Sequence, residues 1–337
     1  MKKLFRNFRF LIEYFLILLP YLLMRISPHF TLRWFAACVS RGMFLLPSVR
    51  KLVTANVRTA FPEFTESKVR LVARKSLYNL VMNMLEFAWM TGVAKRIERW
   101  TFISDEVVKK LKSHTSKNER IIFVNPHLGS WEASAVIATH TCNIKMAAIA
   151  KVTRNPYLNN LLNKKCREIQ GLRIIFSKGA VKETIKALNE GMTIGTLIDQ
   201  NTRIRDGGIF VNFFGLPVPC SKSPATLWRY AKANNIPAVP LFGTVVRIND
   251  RLTAHCEPLS KELVEYASDR EIIQELMDIS EKYIRKFPEQ YLWLYKRFQH
   301  IPENVTPRQR KCYPFYSRPA SPKFYDRRAK NDNHSEE

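Results

Sequence analysis

Short apolar runs alternate with helical stretches after about residue 119 of this chain, and this order constrains its fold more than any other feature. From residue 119 onward, each run rich in β-branched residues is followed by a longer segment whose apolar residues recur with helical spacing. Such alternation predicts an α/β domain with a mostly parallel central sheet flanked by helices. Ligands of such sheets bind beyond the carboxyl ends of the strands, so the residues there are the first candidates for a site. The runs lie at residues 121–124, 146–150, 172–176, 193–198, 209–214 and 238–246.

The N-terminus predicts an association with a membrane. Lysine and arginine residues precede an apolar run over residues 10–26, with no small-residue cleavage site after it, so a removable signal peptide is not expected. The run of about 17 residues is at the short limit for crossing a bilayer, which takes roughly 20. We therefore expect a membrane-anchoring helix over residues 1–26, which either crosses at a tilt or lies in the interface. A buried helix of a soluble protein is the alternative.

Three further regions follow the expected anchor. Residues 27–100 carry helical periodicity, clearest over 64–89, and predict a helical N-terminal region. Residues 101–302 contain the alternation of strands and helices and form the α/β domain. From residue 303 to residue 337 the chain is basic, contains proline and has few aliphatic residues, which predicts a mobile tail.

The charge of the chain predicts anionic partners. There are 54 lysine and arginine residues against 29 aspartates and glutamates, a formal net charge of +25. An anionic membrane, a phosphorylated lipid, an acidic carrier protein or a nucleic acid would each fit such an excess. We do not expect nucleic acid, because the N-terminus is apolar, no recognition motif is present and the basic residues are spread along the whole chain. A non-enzymatic membrane scaffold would also account for the charge and the apolar N-terminus.

Cofactor and metal motifs are missing from the sequence. The six cysteines are scattered without a Cys-x-x-Cys spacing, which predicts reduced, structural thiols and no zinc site. There is no Walker A loop, no Gly-x-Gly-x-x-Gly and no Gly-x-Ser-x-Gly elbow. These absences argue against a bound nucleotide and against a hydrolase with a serine nucleophile. We therefore expect neither a metal nor a cofactor.

Two pairs have the spacing His-x4-Glu, namely His127 with Glu132 and His114 with Glu119. A chain of this composition contains about 0.6 such pairs by chance, so the spacing alone carries little weight. The setting separates the two pairs. His114 lies in a polar stretch, whereas His127 directly follows an apolar run and precedes a glycine.

The setting of His127 predicts a strand, a tight turn and a helix. Gly129 permits the turn, and Ser130 can cap a helix that begins at Trp131. Glu132 then lies in the first helical turn. In an alternative interpretation, Glu132 only complements the helix dipole and His127 only satisfies the turn.

A loop histidine next to a first-turn glutamate suits acyl transfer to an alcohol. An alcohol is a poor nucleophile near neutral pH, so a general base must remove its proton during the attack, and imidazole fits this role. A carboxylate on the other ring nitrogen would fix the tautomer and stabilise the imidazolium. We expect Glu132 to be that carboxylate for His127.

Several further segments carry a resemblance to a known family. They are Asn-Val-Arg-Thr-Ala-Phe-Pro-Glu at 56–63, a helix that carries Glu86, Arg-Asn-Pro-Tyr-Leu-Asn at 154–159, Asp-Gln at 199–200, Gly-Gly-Ile-Phe-Val-Asn-Phe-Phe-Gly at 207–215 and Tyr-Leu-Trp-Leu-Tyr-Lys-Arg-Phe at 291–298. Together with the His127–Glu132 segment, and in this order, they resemble the lipid A biosynthesis lauroyl/myristoyl acyltransferases. The similarity runs from the N-terminal region to about residue 302. Two positions depart from the family, because Lys151 stands where an arginine is usual and Tyr295-Lys296-Arg297 where His-Arg-Arg is common.

The resemblance implies an activity and a location. The chain would move a fatty acyl group from acyl carrier protein to a hydroxyl of a lipid A precursor, with His127 as general base and Glu132 as its partner. A single N-terminal anchor would hold it at the bacterial inner membrane with the catalytic domain on the cytoplasmic face. The partners would then be an acidic carrier protein, an anionic glycolipid acceptor and the membrane. Related enzymes that acylate phosphatidylinositol mannosides or other membrane lipids share the chemistry, so the acceptor stays open.

The expected substrate-binding residues are Lys151, Arg154, Asn155, Arg167 and Asp199. The basic members could bind acceptor phosphates or a developing oxyanion. Lysine at position 151 cannot bind a phosphate through two parallel hydrogen bonds as an arginine does, which bears on the acceptor more than on the chemistry. For Arg154 and Arg167, solvated surface charge is the alternative interpretation.

Overall fold

The computed structural model describes residues 2–93, 99–150, 152–168, 172–176 and 180–326. The helices in chain order are α1 (Lys2–Ile26), α2 (His29–Leu45), α3 (Pro47–Ala60), α4 (Glu66–Val93), α5 (Asp105–Ser116), α6 (Trp131–His140), α7 (Pro156–Asn159), α8 (Ala180–Asn189), α9 (Ser223–Ala233), α10 (Asp269–Lys286), α11 (Pro307–Cys312) and α12 (Pro322–Tyr325). A π-helical segment, Asn160–Arg167, continues α7. The strands are β1 (Thr101–Phe102), β2 (Arg120–Asn125), β3 (Met146–Ala150), β4 (Leu172–Phe176), β5 (Thr193–Leu197), β6 (Gly208–Phe213), β7 (Leu216–Ser221), β8 (Ala238–Ile248), β9 (Arg251–Pro258), β10 (His300–Ile301) and β11 (Arg318–Pro319).

A seven-stranded sheet forms the centre of the protein, in the order β1-β9-β8-β2-β5-β3-β4. Every neighbouring pair is parallel except β8 and β9, which are antiparallel. Helices flank the sheet, and its central strand β2 is buried along most of its length. The prediction of an α/β domain with a mostly parallel central sheet is confirmed.

One predicted strand of the sheet lies elsewhere. Residues 209–214 fall mostly within β6, which pairs only with β7 in a separate antiparallel hairpin. The two residues between these strands, Phe214 and Gly215, both have positive φ, at 51° and 75°. Such a two-residue turn matches the twist of an antiparallel pair and folds the chain back at once, so β6 pairs with β7.

Before the sheet, the described residues 2–93 contain the helices α1 to α4. The predicted helix over 64–89 is α4, and Thr65 accepts a hydrogen bond from the backbone nitrogen of Lys68 at 3.3 Å, as an N-cap residue does. Two of these helices, α2 and α4, contribute Leu32, Ala36, Met82 and Met90 to one apolar cluster. That cluster also receives residues of α6, β8 and β9, so the helical region is packed against the α/β domain.

Helix α1 leaves a large apolar surface uncovered. Within the residues that the structure describes, no helix combines the length and apolar character needed to cross a bilayer. Residues 2–26 of the expected anchor are helical, and a membrane span there is not supported. The exposed large apolar side chains of α1 include Phe5, Phe8, Ile12, Phe15, Leu16, Leu19 and Leu23.

The segment after residue 302 differs from the predicted mobile tail. Over residues 303–326, Thr306 and Gln309 form a capping box at the start of α11, and β11 pairs with β10. The aromatic side chains of Tyr313, Tyr316 and Phe324 are buried, which ties this segment to the domain. Residues 327–337 of the predicted tail lie outside the described part of the chain.

Candidate active site

His127 lies at the carboxyl end of the central strand, on a turn that the sheet fixes. Gly129 has φ of 62°, and a Cβ atom at this position would lie 2.1 Å from the carbonyl oxygen of Val245. The backbone nitrogens of Gly129 and Ser130 donate to the carbonyl oxygens of Gln290 and Val245, at 3.0 and 2.7 Å. The tight turn that Gly129 predicts is therefore present, and only glycine fits there. Helix α6 begins at Trp131 as expected.

Ser130 does not cap this helix. Its hydroxyl donates instead to Oδ1 of Asn83 on α4, at 3.1 Å, and no side-chain hydrogen bond caps α6 from Ser130. The turn is thus attached to α4 as well as to the sheet. Three supports, from β8, α4 and the segment around Gln290, hold the turn after His127 in place.

Asp199 is the carboxylate that contacts the imidazole of His127. One of its oxygens lies 2.6 Å from Nδ1, and the other accepts the backbone N–H of His127 at 2.9 Å. Both residues are buried. The register of the sheet brings them together, because β2 and β5 are parallel neighbours with Asn125 opposite Leu197. Two residues further along each strand, His127 and Asp199 meet.

This contact fixes the proton arrangement of the ring. With a carboxylate at Nδ1, that nitrogen carries the hydrogen, and Nε2 keeps its lone pair. The side-chain nitrogen of Gln200 lies 3.0 Å from Nε2 and donates to it. A substrate hydroxyl that replaced Gln200 would therefore find a proton acceptor at Nε2.

Asp199 stays ionised in spite of its burial. Burial by itself would raise the pKa of this carboxyl group, but its contacts with the ring and the backbone N–H of His127, together with the nearby positive charge of Arg297, outweigh that effect. The net result is that the pKa of Asp199 lies below its ordinary value. An ionised carboxylate at Nδ1 is what a histidine base needs to stabilise its charged form.

Glu132 does not contact His127, and the expectation that it orients the imidazole is corrected here. Its two carboxylate oxygens accept from Arg167, with Nε–Oε2 at 3.1 Å and Nη2–Oε1 at 2.5 Å. Arg167 also donates to Oδ1 of Asn163 at 2.7 Å. The reason is the register, which gives the Nδ1 position to Asp199, while the first turn of α6 directs Glu132 to the π-helical segment. Burial opposes the charged form of Arg167, but the hydrogen bonds and charge of Glu132 raise the pKa of the guanidinium above its ordinary value.

A cleft of about 970 Å³ runs past these residues, and His127, Glu132 and Arg167 all line it. One group of lining residues is apolar and comes from β3, β4, α6 and the π-helical segment: Met146, Ala148, Leu172, Ile174, Ala135 and Leu162. The other group is polar and comes from the segment after β5 and from the start of α9: Gln200, Asn201, Thr202, Arg203, Ser221 and Ser223. A ligand with an apolar chain and a polar head group would match this division.

Comparison with known proteins identifies the family of this chain. Residues 1–300 match the family model of the bacterial lipid A biosynthesis acyltransferases. The chain belongs to this family. It is 24% identical to the lipid A biosynthesis myristoyltransferase of Escherichia coli K12 over 271 residues, which cover 79% of this chain and 81% of the relative. It is 25% identical to the lauroyltransferase of the same organism over 264 residues, 77% of this chain and 81% of the relative. A lipid A biosynthesis acyltransferase of Haemophilus influenzae is 24% identical over 262 residues, 75% and 78% of the two chains.

The other expected binding residues of this acyltransferase lie in different settings. Lys151 is outside the described residues, and Arg154 is exposed. Asn155 is buried, and its side-chain oxygen caps α7 while its nitrogen donates to the carbonyl oxygen of Phe10 at 2.8 Å and to Glu13 at 3.1 Å. Its polar atoms are thus engaged in attaching α1 to the domain, which is a structural arrangement and leaves nothing free for a substrate.

Two residues of the acyltransferase site have roles that the sequence did not indicate. Asp199 was expected to bind substrate, although counting two residues beyond two adjacent strands would have paired it with His127. Arg297 received no role, although a cation inside the aromatic segment 291–298 is unusual. Within the described residues, no group of three histidine, cysteine or acidic side chains could hold a metal ion.

Proposed function

We propose that this chain transfers a fatty acyl group from acyl carrier protein to a hydroxyl of a lipid A precursor. The observation that carries the proposal is the contact between Asp199 and Nδ1 of His127 at the edge of a cleft with an apolar and a polar lining. Membership in the lipid A acyltransferase family supports the class of acceptor. The names of the two Escherichia coli relatives, a myristoyltransferase and a lauroyltransferase, support an acyl group of that size range.

The proposed reaction needs one base and no covalent enzyme intermediate. The acceptor hydroxyl donates to Nε2 of His127, which takes the proton as the oxygen attacks the thioester carbonyl carbon. Asp199 stabilises the imidazolium that forms. When the tetrahedral intermediate collapses, the carbon–sulfur bond breaks, and His127 returns the proton to the departing thiolate. The products are the lipid ester and the free thiol of the carrier protein.

Glu132 acts, in this proposal, through Arg167. The pair lies in the cleft, 22% exposed at the arginine and 15% at the glutamate. A carboxylate held on two guanidinium nitrogens fixes the orientation of Arg167 but leaves its remaining N–H groups for other contacts. These could bind the oxyanion of the intermediate or a phosphate of the acceptor. The apolar lining would then receive the acyl chain.

An assay with defined donors and acceptors tests the proposed function. Purified protein in detergent should transfer lauroyl or myristoyl groups from acyl carrier protein to a lipid A precursor, and mass spectrometry should detect the added mass of the acyl group. Coenzyme A thioesters of the same chain length serve as the donor control. Transfer only to a phosphatidylinositol mannoside would assign the related acceptor class. No transfer to any lipid hydroxyl would refute the function.

We expect the positive charge to act on substrate capture. Both proposed substrates are anionic, and the Debye length falls from about 10 Å at 0.1 M salt to about 3 Å at 1 M. The KM values for carrier protein and acceptor should therefore rise with salt, while kcat changes much less. Lys151→Ala should mainly raise the KM for the acceptor, and Lys151→Arg should retain acceptor use. If a dephosphorylated acceptor is used equally well at every salt concentration, the charge has another purpose.

We also propose that α1 attaches the enzyme to the cytoplasmic face of the inner membrane through its exposed apolar side chains. Phe8, Phe15 and Leu19 are each about 60% exposed and share one face by their helical spacing. Replacing these three by serine in the full chain should release most of the protein from anionic vesicles in a flotation assay. The matched control replaces Arg6 and Arg9 by glutamine, which should weaken binding to anionic vesicles only. Equal binding by the serine variant and the wild type would contradict the proposal.

A further inference from the structure

Arg297 is a fully buried cation beside the catalytic carboxylate. Its side chain has no exposed surface, and it lies against the ring of Phe213, with the guanidinium carbon 5.4 Å from the ring centre. Within the part of the chain that the structure describes, its Nε and Nη2 have no hydrogen-bond partner. Keeping an incompletely bonded charge away from water is unfavourable. The cost of burying the guanidinium of Arg297 suggests that it has a function.

The hydrogen bonds of Arg297 lead to the segment that carries the catalytic carboxylate. Its Nη1 donates to Oδ1 of Asn201 at 2.9 Å and to the carbonyl oxygen of Pro219 at 2.7 Å. Asn201 is held further by its backbone N–H, which donates to the hydroxyl of Tyr295 at 2.9 Å, and by its side-chain nitrogen, which donates to the carbonyl oxygen of Lys296 at 2.9 Å. Residues 295–297 thus form three hydrogen bonds with Asn201. Asp199, which contacts His127, lies two residues before it.

The electrostatic role of Arg297 follows from what surrounds it. The positive charge acts on Asp199 and favours its ionised form. The other titratable neighbours are Tyr291, Tyr295, Tyr316 and Cys220, and burial raises the pKa of each of them above its ordinary value. These groups therefore stay neutral, and Arg297 is a permanent positive charge near Asp199.

We propose that Arg297 is a positioning residue for acyl transfer, which holds the segment 199–201 against His127 and keeps Asp199 negatively charged. The proposal rests on the proposed function of His127 and Asp199. Arg297 does not touch the substrate, because it is fully buried. It acts through Asn201 by hydrogen bonding and on Asp199 by charge.

Two variants separate the charge from the hydrogen bonds. Arg297→Met removes both, and we expect kcat to fall by roughly 10²-fold, the order of loss that a displaced catalytic group causes. The acid limb of the pH profile of kcat/KM should also move up by roughly one pH unit, because the coupled pair of His127 and Asp199 binds a proton more readily once a nearby positive charge is removed. Arg297→Lys keeps the charge but cannot reach both oxygens, so it should lower kcat without moving the acid limb. A merely structural arginine would lower the amount of folded enzyme and leave the limb unchanged in both variants.

Matched controls test whether packing or total charge explains the result. Phe298→Leu disturbs the same buried region without altering a charge, since Phe298 is fully buried next to Arg297 in sequence. Arg285→Met removes an arginine that pairs with Glu281 near the surface. Neither control should shift the pH profile. If either shifts it as far as Arg297→Met does, the proposal is wrong.

Unfolding measurements test the interaction between Arg297 and Asp199 even if no acyl transfer is found. The urea midpoints of wild type, Arg297→Met, Asp199→Asn and the double variant form a thermodynamic cycle. We expect Arg297→Met to lower the midpoint clearly less when Asp199 is already asparagine. Equal losses in the two backgrounds would overturn the proposal. Should Arg297→Met fail to fold, Arg297→Lys replaces it, and its loss should be similar in both backgrounds because the charge remains. Inactive wild-type protein with a coupled cycle would refute the proposed function and leave the pairing of Arg297 with Asp199 intact.

Discussion

Replacing His127 by alanine should lower kcat by about 10²- to 10⁴-fold, the range that general base catalysis contributes. The imidazole lines the cleft, with Asp199 on Nδ1, and its Nε2 can accept the proton of a hydroxyl that replaces the amide of Gln200. Without it, no group takes the proton of the acceptor hydroxyl during the attack. The KM values should change little, because the apolar and polar linings of the cleft are unaltered. Initial rates of lipid acylation at saturating substrate measure the effect.

The chain offers a close control for this prediction. His114 and Glu119 have the same spacing and also form a hydrogen bond, between Nδ1 and Oε2 at 2.6 Å. This pair lies at the end of α5 and does not line the cleft. His114→Ala should therefore leave turnover nearly unchanged. Similar losses in both variants would show that neither histidine is the base.

Asp199→Asn should be nearly as damaging as the loss of His127, and more damaging than Glu132→Gln. An amide cannot stabilise the imidazolium, and its NH₂ group favours the tautomer with hydrogen on Nε2. In serine proteases the same kind of change costs about 10⁴-fold in kcat. Glu132→Gln instead loosens Arg167, so we expect mainly a higher KM and a smaller fall in kcat. The reverse order of losses would return the base-orienting role to Glu132.

The difference in stability between the wild type and Asp199→Asn should decrease as the pH falls. Because the pKa of Asp199 is lowered in the folded state, its ionised form contributes stability that is present above about pH 4 and is lost as the pH falls through the folded pKa. The difference in melting temperature between wild type and Asp199→Asn should be full near neutral pH and should narrow below about pH 4. A difference that stays constant with pH would contradict the ionised state.

The sequence was sufficient where the information is local. Alternation of short apolar runs with helical stretches predicted the central sheet, and the residues after β2 predicted a turn that only Gly129 permits. Each of these features depends on neighbours within a few positions, where periodicity and φ preference act directly. The resemblance added the family, which the match over residues 1–300 bears out.

The sequence failed where burial decided the outcome. The segment 303–326 reads as basic and mobile, yet Tyr313, Tyr316 and Phe324 provide enough apolar surface to bury it against the domain. Residues 209–214 have the composition of a sheet strand, but the turn at Phe214 commits them to a hairpin. In each case a few residues determined the structure of the segment, against the prediction from its overall composition.

The choice of the carboxylate at His127 belonged to the tertiary structure alone. Glu132 is five residues from His127 in sequence and Asp199 is 72 residues away, so sequence proximity favours the glutamate. In the structure the distant residue is the one in contact. The parallel strands β2 and β5 place Asn125 opposite Leu197, so the residues two positions further along each strand, His127 and Asp199, lie side by side at the same edge of the sheet. The sequence by itself determined which residues can do the chemistry and which strand presents the histidine. The parallel register, which no local pattern encodes, decided that Asp199 meets Nδ1 and that Glu132 meets Arg167.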